Sequence, residues 1–220
     1  MDKELAERIW QKKLKSLFRR SNLPKEFWKP QTLVTREDDI DAWDFLEDTR
    51  KNIVEFVKEG NTLVITSVNV GNGKTSWAIR LLQRYLAETA TFIEIEDRGM
   101  FINYASLLVD LGDFKFRETP EFKELKYRLM NCELLVMDEL GGGSLNNATY
   151  QVFYEIINAR SSKNLSTIYT TNFDEEYLID VLGERVFSRV HDAATKIIFT
   201  SSNVRGMTIE EVEDIEDVGL

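Results

Sequence analysis

Asn61–Trp77, NTLVITSVNVGNGKTSW, reads as a strand that breaks into a glycine turn and then opens a helix. Leu63, Val64 and Ile65 form a short apolar run, while Ala78, Ile79, Leu81, Leu82, Tyr85 and Leu86 recur at helical spacing. Strand, turn and helix in that order are the context of a phosphate-binding loop, because successive backbone N–H groups and the positive end of a helix converge on one anion. Candidate contacts run through Asn69, Val70, Gly71, Asn72, Gly73, Lys74, Thr75 and Ser76. Lys74 would reach the β- and γ-phosphates of a nucleotide, and Thr75 would ligate Mg2+.

The loop departs from the G-x-x-x-x-G-K-[ST] pattern at one place: Val68 stands where the first glycine belongs. A β-branched residue does not readily take positive φ, so the turn must start in an ordinary extended conformation or with altered geometry. A glycine-rich turn that merely ends in Gly-Lys-Thr is the alternative reading. Other segments have to decide between them.

Composition narrows the choice. The chain of 220 residues has room for one α/β domain with appendages, and its 43% hydrophobic and 30% charged residues suit a soluble globular protein. No apolar run approaches membrane-spanning length, and the first residues, MDKELAER, lack the apolar core of a signal peptide, so a cytoplasmic location is expected. Cys132 and His191 are single copies, which excludes a disulfide framework and a Cys/His zinc site within one chain. Cys132 is expected in the core, and His191 as a satisfied or exposed histidine. The net charge of −10 argues against a broad nucleic-acid surface. Residues 1–30 run the other way, with nine Lys/Arg against four Asp/Glu, which leaves −15 on the remainder.

At the N-terminus, Leu5, Ile9, Trp10, Leu14, Leu17 and Phe18 read as one apolar helical face beside a basic stripe of Arg8, Lys12, Lys15 and Arg19. Such a helix either packs on its own domain or docks a partner, and both readings stay open. Asn22-Leu23-Pro24 ends it. A lead-in helix follows through Trp43, Leu46, Ile53, Val54 and Val57. Beyond the loop helix come two β-like runs, TFIEI and MFINY, of which the second is favoured as a sheet strand. The segment 105–130 is helical in pieces, interrupted near Gly112 and Pro120. It carries Lys115, Arg117, Lys123, Lys126 and Arg128, which face either a channel or solvent.

ELLVMDEL, residues 133–140, is the second chemical segment: Leu134 to Met137 deliver Asp138 and Glu139 at the C-terminal end of a strand, where open α/β sheets bind ligands. Asp138 is placed to hold Mg2+, and Glu139 to orient the attacking water. STIYTT ends in Asn172, a polar group able to touch the γ-phosphate or that water. Gly183–Arg189, GERVFSR, precedes the last strand, Thr195–Phe199, and Arg205 follows it. The stretch Glu210–Asp217 is acidic and expected to be solvated.

Taken in order, GNGKT, LLVMDEL, TTN, GERVFSR and Arg205 resemble the AAA+ ATPases of the DnaC/DnaI helicase-loader group, with the IstB transposition ATPases as relatives. SNLPKEF, INYASLL and LGERVFSRV look like segments of the same group, and the likeness covers about residues 20 to 206. It implies an α/β fold, an AAA+ P-loop NTPase core with a five-stranded parallel sheet flanked by helices, without a C-terminal helical lid. The implied division is a basic helical extension over 1–21, an ATPase domain over 22–206 and an acidic tail over 207–220. By resemblance Lys74 and Thr75 belong to Walker A, Asp138 and Glu139 to Walker B, and Asn172 is sensor 1. Arg189 would be an arginine finger inserted into a neighbouring subunit, with Arg185 its rival, and Arg205 a sensor-2-like arginine. ATP and Mg2+ are the implied ligands. A replicative DNA helicase gripped through about residues 1–20, single-stranded DNA near segment 105–130, and further copies of the chain are the implied partners; no membrane is. The short extension lacks the cysteines of a zinc-binding docking domain, and the compact form is similar to loaders encoded by phages. A transposition ATPase and a nucleotide switch with negligible hydrolysis are the alternative functions.

Overall fold

The computed structural model describes residues 3–29, 33–34, 37–90, 98–113, 117–192, 194–201 and 215–216. Five strands form one parallel sheet: β1 (Thr62–Thr66), β2 (Gly99–Asn103), β3 (Leu134–Asp138), β4 (Ser166–Thr171) and β5 (Ala194–Ile198). Their spatial order is β5-β1-β4-β3-β2, so β1 lies between two strands that follow it late in the chain. Central β3 and β4 are buried along their whole length, as parallel strands covered on both faces must be, whereas edge strand β5 is largely open. MFINY does supply a sheet strand; TFIEI lies outside the described residues.

Register sets up the site. Asn103 pairs with Asp138, and Thr66 pairs with both Thr171 and Ile198, so the C-terminal strand ends share one rim of the sheet. Ligands of open α/β sheets bind in the crevice outside the carboxyl ends of the strands, at such a rim.

One face of the sheet carries α4 (Lys74–Thr89), overlaid by α1 (Lys3–Arg20), α2 (Ile40–Lys51) and α3 (Ile53–Lys58). Helix α4 carries a broad apolar face because it sits between sheet and helices; Trp77, Ala78, Ile79, Leu81, Leu82, Tyr85 and Leu86 are all buried. Trp77 meets Trp43 of α2 edge to face at 4.9 Å. The expected lead-in helix is two helices broken at Asn52, and Val54 points outward.

The opposite face carries α5 (Tyr104–Gly112), α6 (Pro120–Asn131), α7 (Asn147–Ser162), α8 (Glu175–Leu182) and α9 (Glu184–His191). The expected interruption near Gly112 and Pro120 separates α5 from α6, and Thr119 caps α6 by accepting from the Phe122 N–H. Arg160, 2% exposed, pins this layer together. It donates to the carbonyls of Leu129, Cys132 and Ser166 and to the Thr167 hydroxyl. Cys132 is a core residue, as expected, with its sulfur 3.3 Å from the same guanidinium.

Helix α1 corrects one expectation. Trp10, Leu14, Leu17 and Phe18 turn inward, but Leu5 and Ile9 are 52% and 54% exposed. The reason is angular: at roughly 100° per residue, the step from Ile9 to Leu14 crosses to the other side of the helix. Arg8, Lys12, Lys15 and Arg19 are exposed beside Leu5 and Ile9, so α1 has a buried seam and an outward apolar–basic face. Burying Leu14 and Phe18 contributes roughly 1.5–3 kcal/mol each, which makes α1 part of the domain core. Asn22 ends it at φ 56°, with Leu23 N–H bonded to Phe18 O and Asn22 N–H to Arg19 O, the paired bonds of a Schellman cap.

Candidate nucleotide site

Between β1 and α4 the chain turns back on itself around Ser67. The Ser67 hydroxyl accepts from the Asn69 N–H at 3.0 Å and from the Asn72 side-chain amide at 2.6 Å. Gly71 and Gly73 take φ of 78° and 89°, values an L side chain resists, and Gly73 hands over directly to the first turn of α4. Val68 is absent from the positive-φ residues and is 81% exposed, so the loop entrance takes an ordinary backbone with its side chain outside. Val70 is exposed as well, while Ser76 is half-buried in the first turn of α4.

Lys74 is only 6% exposed, with its amine donating to Asn69 O and Asn72 Oδ1, both at 2.9 Å. The ammonium therefore sits inside the turn, held by two neutral acceptors that a phosphate would outcompete. Thr75, one residue on, donates its hydroxyl to Asp138 Oδ1 at 2.8 Å. This contact spans 63 positions of sequence and joins the two segments that carry the phosphate-loop reading.

Asp138 is 5% exposed, and Thr170 also donates to its Oδ1, at 2.7 Å. Burial pushes its pKa above the ordinary carboxylate value, and Glu139 adds to the rise, while Thr170, Thr75 and Lys74 oppose it. A divalent cation beside this carboxylate would reverse that balance. The donors present fit Mg2+: a hydroxyl and a carboxylate oxygen at hydrogen-bond distance from each other, at the head of a phosphate loop. Among the described residues no group of three or more His, Cys, Asp or Glu could hold a metal alone. That suits an ion held by one or two protein oxygens together with substrate phosphates.

Glu139 is exposed and takes φ 59°, unusual for a residue with a side chain. Its N–H bonds to the Thr170 hydroxyl at 3.0 Å, and its carboxylate accepts from the Asn103 amide at 2.9 Å. Asn103 and Thr170 were not among the residues singled out by sequence. Asn103 had a readable signal, a polar residue closing an apolar strand, but its meaning emerges only from the register with Asp138. Asn172 follows β4 on the same rim, and its Oδ1 is buried without a hydrogen-bond partner among the described residues. Leaving such an acceptor unsatisfied costs about 1–3 kcal/mol, so this oxygen is open to a donor such as a water that enters the site.

The two arginines of GERVFSR lie elsewhere. Arg189 is on α9, on the sheet face opposite α4; it donates to Asn158 Oδ1 and to Arg185 O, both at 2.9 Å, and its guanidinium lies over the Tyr154 ring. Arg185 is exposed. His191 stacks on Phe187 and lies 3.2 Å from Glu175. Arg205 lies outside the described residues. In segment 105–130, Lys126 pairs with Glu155, Arg117 donates to Ala148 O and Arg128 to Arg20 O, whereas Lys123 is exposed and Lys115 is outside the described residues. A cleft of about 600 Å³ opens beside the loop, lined by Ser67, Val68, Phe173, Leu178, Lys196 and Ile198 among others. Among the described residues no helix is long and apolar enough to cross a membrane.

No family model matches the chain. The replicative helicase loader DnaC of Escherichia coli K12 is 27% identical over 150 residues, covering 68% of this chain and 55% of that protein. DnaC of Buchnera aphidicola is 25% identical over 147 residues, covering 66% and 54%. The chain thus spans about half the length of the curated relatives it matches. Among solved structures, the DnaC helicase loader superposes with TM-score 0.64 at 23% identity, covering 80% of this chain and 99% of that one. DnaI gives 0.63 at 21% identity, covering 80% and 93%. The replication initiator DnaA, solved with AMPPCP and single-stranded DNA, gives 0.61 at 16%, covering 76% and 48%. The fold is that of an AAA+ P-loop domain, and the chain is similar to helicase loaders of the DnaC/DnaI type in both sequence and fold.

Proposed function

We propose that this chain is an ATP-dependent helicase loader: its subunits bind ATP with Mg2+, associate so that Arg189 of one reaches the nucleotide of the next, and hold a hexameric replicative helicase for delivery to single-stranded DNA. The observation that carries the nucleotide reading is the buried meeting of Thr75 with Asp138 below the Lys74 turn. Similarity to the DnaC loaders supports the helicase as partner, and the outward apolar–basic face of α1 supplies a surface for it.

In this reading, loop N–H groups and Lys74 hold the β- and γ-phosphates, while Thr75 and Asp138 provide the oxygens for Mg2+. The ion supplies charge neutralisation along the phosphates when bound. Glu139, on leaving Asn103, orients the attacking water and accepts its proton. Asn172 directs its amide to the γ-phosphate or that water. Arg189 has to leave Tyr154 and Asn158 to serve a neighbour. DNA contact is assigned to the α5–α6 segment, with Lys123 on its exposed side.

Size-exclusion chromatography of the chain with its host's replicative helicase tests the partner. A co-eluting complex is expected for wild type and a much weaker one for Leu5→Asp/Ile9→Asp, with nucleotide binding retained. Absence of a wild-type complex, with or without ATP, would sink the loader reading. The hold of Asn103 on Glu139 favours a second reading, a nucleotide switch with negligible turnover. Equal, near-zero hydrolysis by wild type, Glu139→Gln and Arg189→Ala under assembling conditions would select it.

A further inference from the structure

Asp39 belongs to no nucleotide motif, yet it is 4% exposed and lies at the start of α2 without capping that helix. Its carboxylate is committed to a distant segment. It accepts from the Thr200 N–H at 2.7 Å, the Thr200 hydroxyl at 3.0 Å and the Ser201 N–H at 3.3 Å, just beyond β5. The carbonyls of the same two residues face the phosphate loop, and both accept from the Asn69 side-chain amide at 3.1 Å. Asn69 in turn offers its own carbonyl to Lys74 and its N–H to Ser67. A path of hydrogen bonds and peptide units therefore runs from a buried carboxylate, through Thr200 and Ser201 and then Asn69, to the ammonium that would bind phosphate. The Thr200 carbonyl and the Ser201 N–H belong to one peptide unit, so the Asp39 carboxylate on its N–H side strengthens that carbonyl as an acceptor for Asn69.

We propose that Asp39 is a positioning residue for the phosphate loop, acting through Thr200, Ser201 and Asn69; this rests on the nucleotide reading above. The tether explains how the loop keeps its shape with Val68 in place of the first glycine. Position 68 leaves the entrance without a glycine's conformational latitude, and the next residue fastens that entrance to the end of β5. The same carboxylate anchors the start of α2, which packs on α4 through Trp43 and Trp77, so the loop and the N-terminal helices share one fixed point. Nucleotide affinity is thereby set in part from the N-terminal layer.

The test is a titration with a fluorescent ADP analogue on the full chain, alongside thermal melting, for wild type, Lys74→Ala, Asn69→Ala, Asp39→Ala, Asp39→Asn and the Asn69→Ala/Asp39→Ala double variant. Asn69→Ala is expected to weaken binding roughly tenfold with its melting unchanged, since one hydrogen-bonded amide on a half-exposed turn is lost. Asp39→Ala should weaken it as much or more, the double variant no further than Asp39→Ala, and Asp39→Asn should recover part of the loss because one acceptor oxygen remains. Wild-type affinity in Asn69→Ala, or losses that multiply in the double variant, would overturn the tether. Failure of the nucleotide reading itself looks different: wild type and Lys74→Ala would then bind the analogue equally poorly.

Discussion

Lys74 and Arg189 are both cations that the proposed chemistry needs, and the fold treats them in opposite ways. Lys74 is enclosed by its own turn, next to Thr75, whose hydroxyl meets the buried Asp138, so the groups proposed to hold phosphate and metal come together within one chain. Arg189 rests on Tyr154 and Asn158 at the opposite face of the sheet. Glu139 shares this reserve, tied to Asn103 across the rim. In the proposed chemistry the binding half is assembled and the hydrolytic half is withheld. Such a division fits an ATPase whose turnover waits on assembly.

Arg189→Ala should break the comparison most sharply, leaving nucleotide affinity unchanged while lowering the assembled hydrolysis rate by ~10³ or more. Arg185→Ala, its control on the exposed side of α9, should leave the rate within a few-fold. Steady-state phosphate release at high protein concentration separates the two. Lys74→Ala should do the reverse, weakening nucleotide binding at least about 100-fold, since at least two charge-assisted bonds to phosphate go with the ammonium; calorimetric titration reads it.

A smaller effect concerns stability. Because burial raises the Asp138 pKa in the folded chain, the ionised carboxylate costs stability above that raised value, and the cost disappears as pH falls below the ordinary carboxylate range. Asp138→Asn should therefore stabilise the nucleotide-free protein at neutral pH by about 1 kcal/mol, and the gain should vanish in acid. Denaturant melts at two pH values check it, and Mg2+-dependent hydrolysis should be lost in the same variant.

The phosphate loop, the Asp138 strand and the Asn172 strand were legible because each writes its chemistry into neighbouring residues: a β-rich run, then polar groups at its C-terminal end. Asn103 escaped because its role depends on pairing with Asp138, a register no local pattern encodes. Asp39 escaped for a stronger version of the same reason, since its partners lie 161 and 162 positions away. Helix α1 misled differently. Its apolar residues share a composition but not a side, and Leu5 and Ile9 were read with a seam that begins at Trp10. One practical consequence follows for the docking surface: removing residues 1–20 would strip Leu14 and Phe18 from the core, so the outer face has to be probed by Leu5 and Ile9 alone.

Subunit mixing bears most directly on a site completed by a neighbour. Glu139→Gln keeps its finger but cannot activate water, and Arg189→Ala keeps its water-activating group but lacks the finger. Each alone should be inactive under assembling conditions, and an equimolar mixture should regain hydrolysis, because Arg189 of the first variant can enter the site of the second. A mixture that stays inactive while wild type turns over ATP, or an Arg189→Ala protein as active as wild type, would contradict the proposal.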